Sequence, residues 1–286
     1  MDEIVINGTK YTRENLSEIG NPDVREFLEE WFSDSDTVNL HTSGSTGTPK
    51  LIVAEKSRMV VSARMTIEYL GLKRGDSALL CMPVKYIAGK MMVVRAVVGG
   101  LNLLLGDVSG NPLENEDRHI DFAAMVPLQV YNSVQKEKDR FENMGKVIIG
   151  GGAIDKGLEE SLSRLSNEIY ATYGMTETLS HIAMRRVNGE CRSEYFSPMK
   201  CVETGVSTDG CLSIYAPNIC AERLQTNDIV EMNPDCTFRI LGRKDNVVCS
   251  GGIKLQIEQI EGKLEGVIAQ NYAFSSQKDE KLGERL

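Results

Sequence analysis

Residues 147–178 read VIIGGGAIDKGLEESLSRLSNEIYATYGMTET, and this stretch decides the fold. An apolar strand pattern at 147–149 runs into three consecutive glycines, which are typical of a tight turn. A helical pattern over 156–165 follows, and a second strand pattern at 169–172 leads to a Tyr-Gly pair. A strand, a turn, a helix and a second strand in this order indicate an α/β fold with a parallel sheet.

The same alternation of strand and helix patterns precedes this stretch. Strand patterns cover residues 78–83, 101–105 and 122–127, and helix patterns cover residues 58–70, 89–98 and 128–134. Asn21 and Pro22 have the sequence of a helix start, and Gly71 has that of a left-handed helix end. The sequence therefore predicts that the parallel sheet extends well beyond the quoted stretch.

The pattern changes after residue 180, where short strands replace the helices. These strand patterns lie at residues 181–187, 205–206, 211–215 and 238–241, with polar turns at 208–210 and 233–235. Short strands joined by turns of Asp, Asn, Gly and Pro are typical of antiparallel sheets. We therefore predict a smaller β-rich subdomain attached to the α/β core.

The composition excludes several classes of protein. The 286 residues carry a formal net charge of −9, which argues against a general nucleic-acid binder because phosphate contacts need clustered Lys and Arg. The most apolar stretch, residues 91–105, is too short and too interrupted to span a bilayer, and no secretory signal pattern is visible. The seven cysteines include no C-x-x-C pair and indicate reduced thiols. We expect a soluble cytoplasmic protein without nucleic-acid or membrane partners, and the sequence does not indicate its oligomeric state.

Residues 42–50 form a loop pattern rich in hydroxyl groups and glycine. They are Thr42, Ser43, Gly44, Ser45, Thr46, Gly47, Thr48, Pro49 and Lys50. The backbone N–H and hydroxyl groups of such a loop can surround a polyphosphate, while the lysine adds a positive charge. The spacing differs from G-x-x-x-x-G-K-[ST], so an ordinary P-loop is excluded.

Five segments in this order resemble the adenylate-forming superfamily, which contains acyl- and aryl-CoA ligases. They are residues 42–50, 150–153, 173–178, 226–228 and 242–252. The resemblance implies an enzyme that uses ATP, Mg²⁺ and CoA to convert a carboxylate into an acyl adenylate and then a thioester. It implies a large domain at 1–244, with parallel sheet layers, helices and the β-rich subdomain. After a hinge at residue 245, residues 245–286 would form the start of a small α+β C-terminal domain.

The resemblance also assigns roles around the nucleotide. The residues that would bind ATP are Thr42, Ser43, Gly44, Ser45, Thr46, Gly47, Lys50, Gly151, Gly152, Ala153, Tyr173, Gly174, Asp228 and Arg243. Lys50, Thr176 and Glu177 would be the catalytic residues. Thr176 would donate to the α-phosphate, and Glu177 would hold Mg²⁺, a cation that prefers oxygen ligands. Asp228 would accept hydrogen bonds from the ribose hydroxyls, and Asp245 would lie at the hinge.

Residues 82–89 resemble the family's Pro-x-x-His-x-x-Gly segment beside the acyl pocket, with Tyr86 in place of the histidine. A tyrosine can form an aromatic wall there but does not supply imidazole chemistry. Basic residues follow this segment, and the o-succinylbenzoate-CoA ligases of menaquinone biosynthesis are similar because a basic residue also follows it there. The second carboxylate of such a substrate would stay charged while partly buried, and a buried ion needs a partner. The acyl-site residues implied are Tyr86, Lys90, Arg95, Gly150 and His181.

Four of these assignments have structural alternatives. Tyr173 could be a core tyrosine at the end of a strand, and Asp228 an ordinary turn residue. Arg95 could extend its charge to the surface or pair with a structural acid. His181 could be a packed strand histidine.

The function hypothesis is an ATP-dependent acid-CoA ligase acting on o-succinylbenzoate in menaquinone biosynthesis. The alternatives in the same class are another aryl- or acyl-CoA ligase and an adenylation domain that feeds a carrier protein. A non-catalytic nucleotide-binding module is the alternative from another class. Only 41 residues precede Thr42, and the family's C-terminal catalytic lysine has no counterpart before Leu286. We therefore expect a truncated form that binds ATP but forms the adenylate slowly.

Overall fold

The computed structural model describes residues 3–41, 51–250, 253–264, 267–268, 272–279 and 283–285. The chain forms two compact units. The large unit contains residues 1–201 and 218–221, and the small unit contains residues 202–217 and 222–286. The predicted domain boundary between residues 244 and 245 marks a hinge, whereas these two units are defined by their compactness. That boundary stays a prediction.

The large unit alternates strands and helices along most of its length. Its strands are β1 (Glu3–Ile6), β2 (Thr9–Thr12), β3 (Thr37–His41), β4 (Leu51–Glu55), β5 (Ser77–Leu80), β6 (Asn102–Leu105), β7 (Phe122–Met125), β8 (Lys146–Ile149), β9 (Glu168–Gly174), β10 (His181–Arg186) and β11 (Ser197–Pro198). Its helices are α1 (Pro22–Phe32), α2 (Lys56–Leu70), α3 (Ile87–Gly99), α4 (Pro127–Lys136), α5 (Lys138–Glu142) and α6 (Lys156–Ser163). The predicted α/β fold is confirmed.

A sheet whose described part has nine strands forms the centre of the large unit. The strand order is β11-β10-β9-β8-β7-β5-β6-β1-β2. The six strands from β9 to β1 in this order pair in parallel. The outer strands β2, β10 and β11 pair antiparallel. Connections through helices bring the carboxyl ends of the parallel strands to one edge, where ligands bind in open α/β sheets.

The helix ends follow from the chemistry of single residues. The side chain of Asn21 accepts a hydrogen bond from the Val24 backbone N–H at 3.0 Å and caps α1, which begins with Pro22. Gly71 ends α2 and Gly100 ends α3, both in the left-handed conformation with φ of 62°. Only glycine reaches this conformation without a steric penalty. The predicted start of α1 and end of α2 are confirmed.

The core of the large unit consists of apolar side chains from the central strands and the helices that cover them. Leu79, Ala123, Val147 and Ile169 come from four parallel strands and have no exposed surface. Strands buried on both faces carry near-continuous apolar runs, which is why these segments could be identified from the sequence. The sheet is therefore a rigid base for the loops at its carboxyl edge.

Two parts of the sheet differ from the prediction. Strand β10 was predicted within the β-rich subdomain, but it pairs with β9 and belongs to the large sheet. The hairpin of β1 and β2 was not predicted, and it extends the opposite end of the sheet through the pairing of β1 with β6. Strand patterns do not specify partners, because pairing depends on contacts between segments that are distant in the chain.

The small unit is rich in β-structure. Its elements are β12 (Glu203–Val206), β13 (Cys211–Tyr215), β14 (Leu224–Met232), β15 (Phe238–Arg243), β16 (Val247–Ser250), β17 (Ile253–Gln256), α7 (Ile257–Leu264), β18 (Gln277–Asp279) and β19 (Gly283–Arg285). Strands β12 to β15 form an antiparallel meander in chain order. The described strands β16 to β19 form a second antiparallel sheet in the order β17-β16-β19-β18. Within the described residues, no helix of either unit is long and apolar enough to cross a membrane.

Candidate active site

A cavity of about 720 Å³ lies at the carboxyl ends of the parallel strands β5, β7, β8 and β9 in the large unit. Its lining is mainly apolar and includes segments that directly follow each of these strands. The lining residues assigned to a site by the sequence are Tyr86, Arg95, Gly150, Gly151, Gly174, Thr176 and His181. An apolar cleft with few polar groups at this edge of a sheet is typical of a small-molecule site.

The glycine turn after β8 leaves room at the rim of this cavity. A Cβ atom on Gly150 would lie 2.6 Å from the hydroxyl oxygen of Thr172, and that hydroxyl donates to the Ile149 carbonyl at 3.0 Å. Gly151 has a φ of 78°, which favours glycine. The turn therefore lines the cavity with backbone at Gly150 and Gly151. Gly152 and Ala153, which were also predicted here, are exposed residues of the same loop.

The turn after β9 is held by a set of short hydrogen bonds. A Cβ atom on Gly174 would collide with the backbone of Ser180 and His181, so this position requires glycine. The Thr178 hydroxyl accepts from the Met175 N–H at 3.0 Å and donates to the Ser180 carbonyl at 2.7 Å. These bonds close the loop that carries the predicted catalytic pair.

The predicted catalytic residues Thr176 and Glu177 lie in the turn after β9. Thr176 lines the cavity, whereas Glu177 is exposed and forms no hydrogen bond or ion pair among the described residues. A free carboxylate suits Mg²⁺, which is usually held by one or two carboxylates together with phosphate oxygens. Tyr173 is buried, and its ring packs against Phe196 with 6.1 Å between centroids.

The acyl side of the cavity begins at the start of α3. Tyr86 precedes the helix, lines the cavity and has 40% of its surface exposed, so it forms part of the rim. A Cβ atom on Gly89 would collide with the Pro83 carbonyl, and glycine allows the first turn of α3 to pack against this loop. Val108 and Leu128 line the same cavity and are more than half exposed. The rim is therefore apolar.

Arg95 is a buried cation in the cavity wall. Its residue is 2% exposed, and it forms no ion pair with any described carboxylate. One Nη donates to the Ser180 hydroxyl at 2.6 Å and the other contacts the Met92 sulfur at 3.7 Å, while Nε has no hydrogen-bond partner. Burial lowers the pKa of Arg95 to about 9, which leaves the side chain charged at neutral pH. Arg95 is therefore not a surface charge, and it has no acidic partner within the part of the chain that the structure describes.

His181 lies next to this cation. It is 7% exposed and lines the cavity, and its Nε2 is 2.9 Å from the hydroxyl of Thr66 on α2. Burial lowers the pKa of His181 well below its usual value, and the charge of Arg95 lowers it further. The imidazole is therefore neutral at physiological pH. It is both a cavity residue and a packed histidine, so the two interpretations of its role do not exclude each other.

Lys90 takes a different position from Arg95, although both lie on α3. Its ammonium group is 3.7 Å from the Glu30 carboxylate and 4.3 Å from the centroid of the Phe27 ring, both on α1. Burial lowers the pKa of Lys90, while Glu30 opposes this shift. The described cavity lining does not include Lys90. Its contacts link two helices, and Arg95 is the basic residue of this helix at the cavity.

Ser180 beside Arg95 and Thr66 beside His181 were not singled out in the sequence. Ser180 lies two residues after the Tyr-Gly signature at 173–178 and lines the cavity, and its position in the chain was the signal that could have identified it. Thr66 gave no such signal, because it lies 115 residues from His181 in the chain. The thiol of Cys81 also lines the cavity, but burial raises its pKa to about 12 and keeps it protonated.

The remaining predicted residues lie elsewhere. Asp228 and Arg243 are opposite each other on β14 and β15 of the small unit, with 3.4 Å between Oδ1 and Nη1. Arg243 also contacts Asp245 at 3.1 Å, and Asn227 donates to the same carboxylate at 3.2 Å. The predicted ribose and hinge residues are therefore neighbours in one cluster. Thr42, Ser43, Gly44, Ser45, Thr46, Gly47 and Lys50 lie outside the described residues, between the paired strands β3 and β4.

Comparison with known proteins gives a family match over most of the chain. The family model of the AMP-binding enzyme matches residues 3–209. A curated 2-succinylbenzoate–CoA ligase from Bacillus cereus strain Q1 is 24% identical over 282 residues, which cover 86% of this chain and 58% of that relative. The chain therefore spans less than two thirds of the length of this relative.

Solved structures share the fold. An acyl-CoA synthetase (AMP-forming)/AMP-acid ligase II-like protein from Dyadobacter fermentans is 34% identical, with a TM-score of 0.76 over 96% of this chain and 82% of that chain. The o-succinylbenzoate coenzyme A synthetase from Bacillus subtilis, solved with ATP and magnesium ion, is 20% identical. Its TM-score is 0.73, over 86% of this chain and 58% of that chain.

Proposed function

The chain belongs to the AMP-binding enzyme family, and on that premise we propose that it activates a carboxylic acid with ATP and transfers the acyl group to CoA. The proposed substrate is o-succinylbenzoate, an acid with two carboxylates, and the proposed pathway is menaquinone biosynthesis. The names of the curated relatives support this choice of substrate. The observation that carries it is the fully buried charge of Arg95 in the wall of the cavity.

The nucleotide half of the proposal uses the turns after β8 and β9. The backbone at Gly150 and Gly151 would accommodate the adenine ring, because the two glycines have no side chains and line the cavity. The Thr176 hydroxyl would donate to the α-phosphate, and the free carboxylate of Glu177 would hold Mg²⁺. The metal ion would neutralise charge on the phosphate oxygens when bound. From the family resemblance, the loop with Lys50 would bind the β- and γ-phosphates, and Asp228 would bind the ribose.

The acid half of the proposal rests on the electrostatics of the cavity wall. A guanidinium taken out of water without a partner is costly, and a carboxylate of the substrate would offset that cost. Each Nη of Arg95 has one partner among the described residues and a second N–H left for such a carboxylate, whereas the unpartnered Nε is buried. The apolar lining would contact the hydrocarbon part of the substrate. An acid with one carboxylate would leave Arg95 unpaired, so a dicarboxylate fits better.

The first experiment measures substrate preference with the full chain and its Arg95→Met variant. Formation of CoA thioester and carboxylate-dependent exchange between ATP and pyrophosphate would be followed for o-succinylbenzoate and for monocarboxylates of similar size. We expect the wild type to prefer o-succinylbenzoate. Arg95→Met should lower kcat/KM for this acid about 10- to 100-fold and leave monocarboxylates nearly unchanged, because a hydrogen bond to a charged group is worth about 1.5–3 kcal/mol.

A matched control is Arg74→Met, because the Arg74 side chain is 80% exposed and its described ion pair is with Glu3 on the surface. This variant should behave as the wild type. Equal use of monocarboxylates and o-succinylbenzoate by the wild type would contradict the proposed substrate. Binding of ATP without any exchange for any acid would instead favour the non-catalytic nucleotide-binding module.

A further inference from the structure

The strands β5, β6 and β7 are neighbours in the sheet, and the chain segments that follow them all contribute to the cavity. The ladder between β5 and β6 ends at the pair of Leu80 and Leu105. Beyond a ladder, backbone carbonyl and N–H groups need other partners when they are away from water. The cavity-lining residues that follow the three strands include Cys81, Ser109 and Val126.

One buried side chain of α4 joins these three segments. The amide Nε2 of Gln129 donates to the carbonyls of Cys81 and Ser109, each at 2.9 Å. Its Oε1 accepts from the Val126 N–H at 3.2 Å, where α4 begins. Gln129 lines the cavity, but both of its N–H groups are already used within the protein. Its amide therefore connects parts of the wall and has no donor left for a ligand.

A second amide of α4 holds the next residue of the same loop. Asn132 lies one helical turn after Gln129, so the two side chains are on the same side of the helix. Its Nδ2 donates to the Gly110 carbonyl at 2.9 Å. The successive carbonyls of Ser109 and Gly110 are therefore both bound to α4. The loop after β6 forms a cavity wall whose position is set by this helix.

We propose that Gln129 is a positioning residue that fixes the loop after β6 as a cavity wall and so limits the width of the acid that binds. This inference rests on the proposed function, in which the cavity takes the hydrocarbon part of a carboxylic acid. In Gln129→Met the side chain would fill a similar volume but make none of the three hydrogen bonds. Residues 108–110 would then move away from α4, and a wider acid would fit.

Hydrogen exchange of the full chain without ligand tests the positioning role. Residues 106–111 should exchange at least about fivefold faster in Gln129→Met than in the wild type, because the loop opens locally. Unchanged exchange of β8 in the same sample shows that the variant is folded. Gln135→Met is the matched control, because Gln135 is exposed on the same helix. Equal exchange of residues 106–111 in Gln129→Met and the wild type overturns the positioning role.

The variant Gln129→Glu separates the wall from the start of α4. It keeps an oxygen that can accept from the Val126 N–H, but it replaces the two N–H donors by an oxygen facing the carbonyls of Cys81 and Ser109. We expect residues 106–111 to exchange at least as fast as in Gln129→Met. Exchange like that of the wild type would assign the effect to the helix start and overturn the proposal.

Titration calorimetry with two acids tests the limit on width. The acids are o-succinylbenzoate and its analogue with a naphthalene in place of the benzene ring. We expect the wild type and Gln135→Met to bind the narrower acid about 10- to 100-fold more tightly, because an overfilled cavity is strained. Gln129→Met should reduce this ratio at least about fivefold. An unchanged ratio, together with faster exchange of residues 106–111, overturns the limit on width. If the wild type binds neither acid, the proposed function fails, whereas the exchange experiment still decides the positioning role of Gln129.

Discussion

Arg95 and His181 show how the environment of a single residue determines its chemistry. Each is nearly fully buried, each lines the cavity, and the charge of one helps to keep the other neutral. The apolar wall lowers the pKa of both groups, but only the imidazole loses its charge at neutral pH. A charged guanidinium therefore lies next to a neutral imidazole. This arrangement favours an anionic ligand.

The neutral state of His181 predicts a stability change on mild acidification. Its pKa in the folded protein lies below the unfolded value of about 6.5. The unfolded state therefore binds the proton more tightly, and the stabilisation present above pH 6.5 is lost as the pH falls. We expect the free energy of unfolding to drop between pH 7.5 and 5.5 by up to about 1.4 kcal/mol from this residue, the limit set by the unfolded pKa. Urea denaturation at both pH values measures it.

The variant His181→Gln provides the comparison for this prediction. Glutamine does not titrate, so the part of the pH dependence that comes from His181 should disappear from the difference between the two proteins. A wild type and a variant with the same slope of stability against pH would show that His181 is not buried as a neutral imidazole.

At the scale of elements, the site depends on where strands stop and helices start. The parallel strands present their carboxyl ends at one edge, and the turns after β8 and β9 require glycine at Gly150 and Gly174 for steric reasons. Helix α3 brings Arg95 to the cavity and Lys90 to α1, because residues five positions apart on a helix face different directions. The helix therefore serves both the site and the packing.

The capping of α1 gives a prediction at this scale. Asn21→Ala removes the acceptor for the Val24 N–H and should lower the free energy of unfolding by about 1 kcal/mol, whereas Asn21→Ser should keep most of it. The single tryptophan of the chain, Trp31, is buried on this helix and reports unfolding by fluorescence. An unchanged midpoint for Asn21→Ala would show that the cap does not contribute to stability.

At the scale of the whole molecule, burial is distributed unevenly between the two compact units. The central strands of the large unit consist mainly of buried residues, and all four residues of β7 are buried. Strands β16 and β17 of the small unit have mainly exposed or half-buried side chains, with Val248 as the buried exception among their described residues. Local stability follows buried apolar contact, so the two regions should open at different rates.

Hydrogen exchange followed by mass spectrometry tests this difference. We expect peptides from β7 and β8 to exchange most slowly and peptides from β16 and β17 to exchange at least about 100-fold faster. The reason is that opening of the central sheet exposes a large apolar surface, whereas opening of the hairpin does not. Similar protection in both regions would contradict the prediction.

The local elements could be predicted from the sequence because their causes are local. Apolar runs mark strands buried on both faces, and Asn21 and Gly71 mark helix ends through backbone chemistry within a few residues. The glycine turn and the Tyr-Gly signature likewise identified the segments at the cavity rim. The hairpin of β1 and β2 and the place of β10 escaped prediction, because strand pairing is a relation between distant segments.

The sequence by itself therefore determined the fold class, the family resemblance and the segments around the candidate site. Only the tertiary structure decided between two neighbouring basic residues, since Lys90 meets Glu30 while Arg95 remains without an acid among the described residues. It also connected Thr66 to His181 across 115 positions of the chain. The physical reason is that desolvation and hydrogen-bond direction depend on what surrounds a side chain in space. The residues that neighbour a side chain in the sequence do not show which groups will surround it in the folded protein.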